Sequence, residues 1–201
     1  PLLPFWLGDK PATNQAPNLP LNWHGGWRNP VGVFRTSWTN TNGIFLGFKG
    51  GSGISSGHAH LDAGSFVLYA AGVTWAVDLG WQDYNSLESK GVDLWNPAQN
   101  GGRWTVFRLN NFSHNTLTID NQLHKASAHA SITEFRDGPQ PQATVDLSGT
   151  FAGQATRVIR HFELGSGNAV FIRDELAGVT PGKDVRWAMV TRAQLELNGG
   201  A

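Results

Sequence analysis

The chain contains no cysteine. That excludes disulfides and thiolate metal sites, so any metal must be held by histidines and carboxylates. It is also poor in charge: Asp, Glu, Lys and Arg make up 15% of its 201 residues, against roughly 25% in an average soluble domain. Neither sign is in excess, since Lys+Arg and Asp+Glu are both 15 and the formal net charge is zero. A general nucleic-acid binder would show a basic excess and a disordered acidic tail the opposite; both classes are set aside. No apolar run approaches the roughly 18 residues of a membrane span. What the chain has instead is 25 glycines, 9 tryptophans and 11 phenylalanines, a composition of tight turns and large apolar or stacking side chains. Its length fits one sizeable domain and is too short for two large ones. It opens at Pro1 without a Met, a basic n-region or an apolar h-region. It stops just after Asn198-Gly199, a hairpin turn signal with no returning strand. Both ends are therefore expected to be cuts from a longer protein, the alternative being a flexible native tail.

Residues 1–30 show no stable period, and Pro4, Pro11, Pro17, Pro20 and Pro30 break any helix. They read as a lead-in arm packing Phe5, Trp6, Trp23 and Trp27. From Val31 the pattern is strand-like. Runs at 31–38 and 44–49 flank Asn42-Gly43 and predict a hairpin. Runs at 65–69 and 73–78 around Ala71-Gly72 predict a second, and Gly50 to Gly57 a loop. Residues 80–102 form a long loop whose Trp81, Tyr84 and Trp95 favour a functional role. Strands are expected to resume at 104–109, 114–120, 128–135, 143–147, 156–164, 169–173 and 185–192, with no trustworthy helix of ten or more residues. Many strands joined by Gly/Asn turns predict an all-β, antiparallel β-sandwich over 31–201.

The densest polar cluster is Gly57-His58-Ala59-His60-Leu61-Asp62. If extended, it places His58, His60 and Asp62 on one face, a reasonable start for a zinc site. Asp78 ends an apolar strand, where a lone carboxylate is costly unless paired or metal-bound, and His114 begins another. His60, Asp78 and His114 could converge with a water in fourth place; chance spacing and a turn-capping role for Asp78 is the plainer reading. The Gly50–Gly57 glycines fit no phosphate-binding pattern. Ser56, Ser65 and Ser113 lie in no G-x-S-x-G, and His24, His124, His129 and His161 have no partner pattern. Trp81, Tyr84, Trp95 and Trp104 could stack on sugar rings, and Arg103 and Arg108 could pair bidentately with carboxylate or sulfate. The competing reading makes most of the tryptophans core.

Together, 58–68, 72–80, Asp83-Tyr84-Asn85, 102–108, 114–120 and the upstream 29–35 resemble the signature of the heparinase II/III-like family of polysaccharide lyases. The resemblance runs from about residue 29 to at least 120 and weakly to about 190. It implies the first part of a large antiparallel super-sandwich domain, a truncated piece lacking the family's N-terminal α/α toroid, which would be its partner in the parent chain. It also implies Zn2+, chiefly structural, on His60, Asp78 and His114, and His58 as the catalytic histidine at the substrate cleft, with Tyr84, Arg103 and Trp104 as candidate substrate contacts. The implied chemistry is β-elimination on a uronic-acid-containing acidic polysaccharide, and the implied location is periplasmic or secreted. The family's catalytic tyrosine belongs to the toroid, so Tyr84 is not given that role, and independent activity of this chain is not expected. A non-catalytic carbohydrate-binding module and an unrelated His/Asp metal hydrolase are the rival readings.

Overall fold

The computed structural model describes residues 19–194 and 196. Its strands, in chain order, are β1 (Trp23–Gly25), β2 (Val31–Arg35), β3 (Phe45–Lys49), β4 (Phe66–Ala70), β5 (Val73–Ala76), β6 (Leu117–Ile119), β7 (Ser131–Arg136), β8 (Gln142–Asp146), β9 (Arg157–Leu164), β10 (Val170–Ala177) and β11 (Val185–Trp187). One short helix, α1 (Tyr84–Glu88), lies between β5 and β6. Strands β1 to β5 form a five-stranded antiparallel sheet in sequence order; β10-β9-β8-β7 form a second, and β11 pairs with β6.

Alternation explains why these segments are strands. In β2 and β3 every second residue is buried, so Phe34, Leu46 and Phe48 point inward while Val31, Val33, Gly47 and Lys49 point out. From the second sheet Ala143, Val145, Val158 and Phe162 point to the same core. Phe48 and Phe162 stack across the sheets with centroids 4.4 Å apart. Two sheets sharing one apolar interior make the β-sandwich the sequence predicts. Both expected hairpins form: β2 pairs with β3 in the register Val31↔Lys49, and β4 pairs with β5 around Ala71 and Gly72.

Several expectations change. Trp23 to Gly25, assigned to the lead-in arm, adds β1 to the edge of the sheet, while Trp27 is 87% exposed and packs on little. Segment 104–109 is not a strand but two successive 3₁₀ turns, Gly102–Thr105 and Phe107–Leu109. They bury Trp104, Val106 and Leu109 with Leu61, Leu87 and Leu94 in a second, smaller core beneath the long loop. Only Leu117–Ile119 of 114–120, and only Val185–Trp187 of 185–192, are strand. Phe5, Trp6 and the Asn198-Gly199 turn lie outside the described residues.

Candidate functional site

An open cleft of about 530 Å³ lies over the outward face of the five-stranded sheet. Val33, Gly47 and Val67 line it from the sheet, together with His58, His60, Asp62, Asp78 and Trp81.

The histidine-bearing segment is held by backbone and hydroxyl bonds rather than by strand pairing. Leu61 N–H donates to the carbonyl of Leu109, Ser65 N–H to that of Asp62 and Gly64 N–H to that of Lys49. Thr116 Oγ1 donates to Ala63 at 2.7 Å. Asn115, fully buried, ties the elements together. Its Nδ2 donates to the carbonyls of Phe66 and Val77, at 2.6 and 2.9 Å, and its Oδ1 accepts from Val190 N–H. Asn115 thus fixes both its neighbour His114 and Val77, the residue before Asp78; nothing in its spacing marked it in the sequence.

His60 and His114 come together, with ring centroids 5.3 Å apart. His114 is 1% exposed. Its Nδ1–H donates to Asp78 Oδ2 at 2.9 Å, which leaves Nε2 buried with no hydrogen-bond partner. A buried, unpartnered imidazole nitrogen whose other nitrogen is fixed by a carboxylate is the arrangement of a metal-ligating histidine. Burial holds the His60 pKa down to about 4, so its ring is neutral and its lone pair free near pH 7. The hydrogen bond from His114 holds Asp78 down to about 2. The donor atoms within 4.8 Å of one another belong to His60, Asp62 and His114. Asp62, singled out in the H-x-H-x-D segment but left out of the expected trio, therefore joins the cluster, and Asp78 stands behind His114. Lys49 Nζ meets both oxygens of Asp62 at 2.9 Å. Two imidazoles and a carboxylate without sulfur form a group that could hold a divalent metal ion.

His58 lies on the exposed rim. Its Nδ1 shares a hydrogen bond of 3.2 Å with the Tyr84 hydroxyl, and the two rings stack 7° from parallel. Trp95 and Trp81 meet Tyr84 edge-on and are 53% and 67% exposed, so the rim carries open aromatic faces. Helix α1 places Tyr84, and Asp83 caps it by accepting from Ser86 N–H at 2.7 Å.

Arg103 and Trp104, expected at the substrate surface, are each 2% exposed and reach no ligand directly. The Arg103 guanidinium donates to the carbonyl of Ala59, between His58 and His60, at 2.9 and 3.1 Å, and to Leu94. Trp104 Nε1 donates to the Pro97 carbonyl. Both hold the histidine segment from beneath. Arg108 donates to the Leu79 carbonyl at 2.7 Å, beside Asp78. Of the expected site residues, His58, His60 and Asp78 thus line the cleft, with His114 buried against His60 and Tyr84 bonded to His58.

A family model described as heparinase II/III-like, C-terminal, matches residues 24–200. Among solved structures, a heparinase III is similar with a TM-score of 0.54 at 17% identity, over 74% of this chain and 21% of that one. A heparan sulfate lyase mutant from Pedobacter heparinus is similar with a TM-score of 0.57 at 20% identity, over 82% of this chain and 23% of the other. The chain thus spans less than a quarter of the length of these proteins. No curated protein matches it.

Proposed function

Since the chain belongs to the heparinase II/III-like C-terminal family, we propose that it is the β-sandwich part of a polysaccharide lyase that cleaves uronic-acid-containing chains by β-elimination. It would furnish one wall of the cleft and a zinc site, and work outside the cytoplasm with a helical toroid of the same parent chain. The observation that carries this reading is that His58 and His60 line one cleft, with His114 against His60, within a domain matched along residues 24–200.

In such a reaction the C5 proton of the uronate is removed, the C4–C5 double bond forms, and the C4–O4 bond breaks. The proton returned to O4 completes the balance. The step is slow unless the uronate carboxylate is neutralised, because that charge opposes loss of the C5 proton. His58 is exposed to the cleft and oriented by the Tyr84 hydroxyl, so it can donate to the carboxylate or take part in proton transfer. Trp81 and Trp95 offer faces for sugar rings beside it. His60 and His114, with Asp62 or Asp78, would hold the zinc, whose bound charge would fix the segment that carries His58. The family resemblance favours Asp78 and the distances favour Asp62; zinc content of Asp62→Asn and Asp78→Asn separates them.

The test is His58→Ala in the full-length parent. Turnover, followed as ultraviolet absorbance of the unsaturated uronate, should fall at least about a hundredfold, with zinc content and melting temperature unchanged. Undiminished turnover would remove His58 from the reaction. The exposed Trp81 and Trp95 also favour a second reading, a non-catalytic sugar-binding module. That reading requires binding without turnover in the parent, lost in Trp81→Ala/Trp95→Ala.

A further inference from the structure

Arg160 sits on β9 of the second sheet, on the opposite side of the sandwich core from the cleft, and is fully buried. An arginine side chain is placed there only if its donors are met. Nε and one terminal nitrogen of Arg160 grip Asp174 of β10 at 2.7 and 2.8 Å, a fork-to-fork pair of the kind arginine alone forms. The remaining nitrogen, Nη1, does something different. It donates to the carbonyl of Gly64 at 2.8 Å and to that of Asn115 at 3.0 Å. Gly64 is two residues after Asp62 and Asn115 is next to His114, so one guanidinium nitrogen clamps the two chain segments that carry the cluster. Gly64 itself has φ +76, and a Cβ there would come within 2.7 Å of Leu147, so the segment approaches the core closely at the point the clamp holds.

We infer that Arg160, locked by Asp174, is a positioning residue. It sets the spacing between the Asp62 and His114 segments and so the aim of the unpartnered His114 Nε2. Its consequence for zinc rests on the reading above; its effect on His114 does not. Stability alone gives a weak reason for such a pair, because replacing a buried ion pair by apolar residues of similar volume is often neutral or stabilising. A lysine would not serve, since one ammonium cannot keep the planar fork on Asp174 and reach both carbonyls.

That property supplies the experiment. In the full chain, Arg160→Met/Asp174→Leu removes the clamp while keeping the volume filled, and Arg160→Lys is a second variant that keeps the charge. Val158→Ala, two residues away on β9 with an equally buried side chain, lowers stability without touching the clamp. Ring-nitrogen NMR of His114 without metal reads its tautomer, and titration with zinc chloride reads affinity. Expected for both Arg160 variants is loss of the single Nδ1–H tautomer and zinc affinity weaker by about tenfold or more. Val158→Ala should melt earlier with both readings unchanged. A folded Arg160 variant with the wild-type His114 signature overturns the inference, as does a Val158→Ala protein that loses it equally. If the wild-type chain takes up no zinc while the His114 signature still moves, the zinc reading falls and the positioning role stands.

Discussion

An enclosed histidine with no anion beside it must fold neutral, and His124 is such a residue. It is 1% exposed, its Nε2–H donates to the Leu117 carbonyl at 2.9 Å, and its ring meets Phe151 edge-on. Burial lowers its pKa from 6.5 to about 4. Between those values the unfolded chain binds a proton that the native chain refuses. Stability is therefore full above pH 6.5, falls as pH drops through the window, and has lost about 3 kcal/mol by its lower end. His60 adds to the loss over the same range, whereas Asp78 acts only below its ordinary carboxylate value, as pH falls toward 2. His124→Gln retains a donor for Leu117 and removes the titration. Urea unfolding at pH 7 and 4.5 should show a smaller acid loss in the variant than in the wild type, the difference reporting His124 alone. Equal losses would show that His124 does not refuse its proton. At this scale the sequence disclosed the polar residues but not their depth. Asp78 stood out because a lone carboxylate ending an apolar strand is costly, His60 because it shares an extended face with His58 and Asp62, and His114 because it begins a strand. Arg103 was expected at the substrate surface because arginine is rarely fully buried, and only the fold shows that the Ala59 carbonyl is there to receive it.

The turn between β4 and β5 works the same way one level up. Ala71 and Gly72 both have positive φ, 53° and 78°, as a two-residue type I′ hairpin requires. Glycine adopts this without cost; alanine does so at roughly 1 kcal/mol, and Asn is the residue such turns prefer at the first position. Ala71→Asn should raise stability by roughly 0.5–1 kcal/mol and Gly72→Val lower it by roughly 1–2 kcal/mol. Thermal melts of the two variants check the opposed signs; shifts of the same sign would mean the turn adopts another form. This hairpin was legible because two β-rich runs flanked a glycine turn. Segment 104–109 was not, although it is equally apolar. Its buried residues are Trp104, Val106 and Leu109, with Phe107 exposed, a spacing that matches a strand for one step and then departs from it. The 3₁₀ turns follow from the pull of a second core formed with Leu61, Leu87 and Leu94, residues distant in sequence, which no local period encodes. The short helix Tyr84–Glu88 belongs to that same core through Leu87.

For the whole molecule, what matters is where the two cores leave surface open. The inter-sheet core is closed on both sides by strands, while the smaller core supports the rim that carries His58, Tyr84 and Trp95. The cleft over the five-stranded sheet is open to solvent. Its lining includes Lys49, already neutralised by Asp62, and a His60 held neutral, so little free positive charge faces a uronate. On the proposed reading the toroid of the parent chain would supply two things that β-elimination needs: further cationic donors to neutralise the substrate carboxylate, and a second group across the sugar from His58 to complete the proton transfers. Each is asked to supply several orders of magnitude in rate. The isolated chain should accordingly form unsaturated uronate at least about a thousandfold more slowly than the full-length parent, while still taking up zinc if the His60/His114 cluster is complete by itself. Incubating each protein at equal concentration with heparan sulfate and with alginate, and following ultraviolet absorbance, makes the comparison. Turnover by the isolated chain equal to that of the parent would mean that this one wall holds the whole catalytic set, and would move Tyr84, the hydroxyl already bonded to His58, from the rim of the site to its centre.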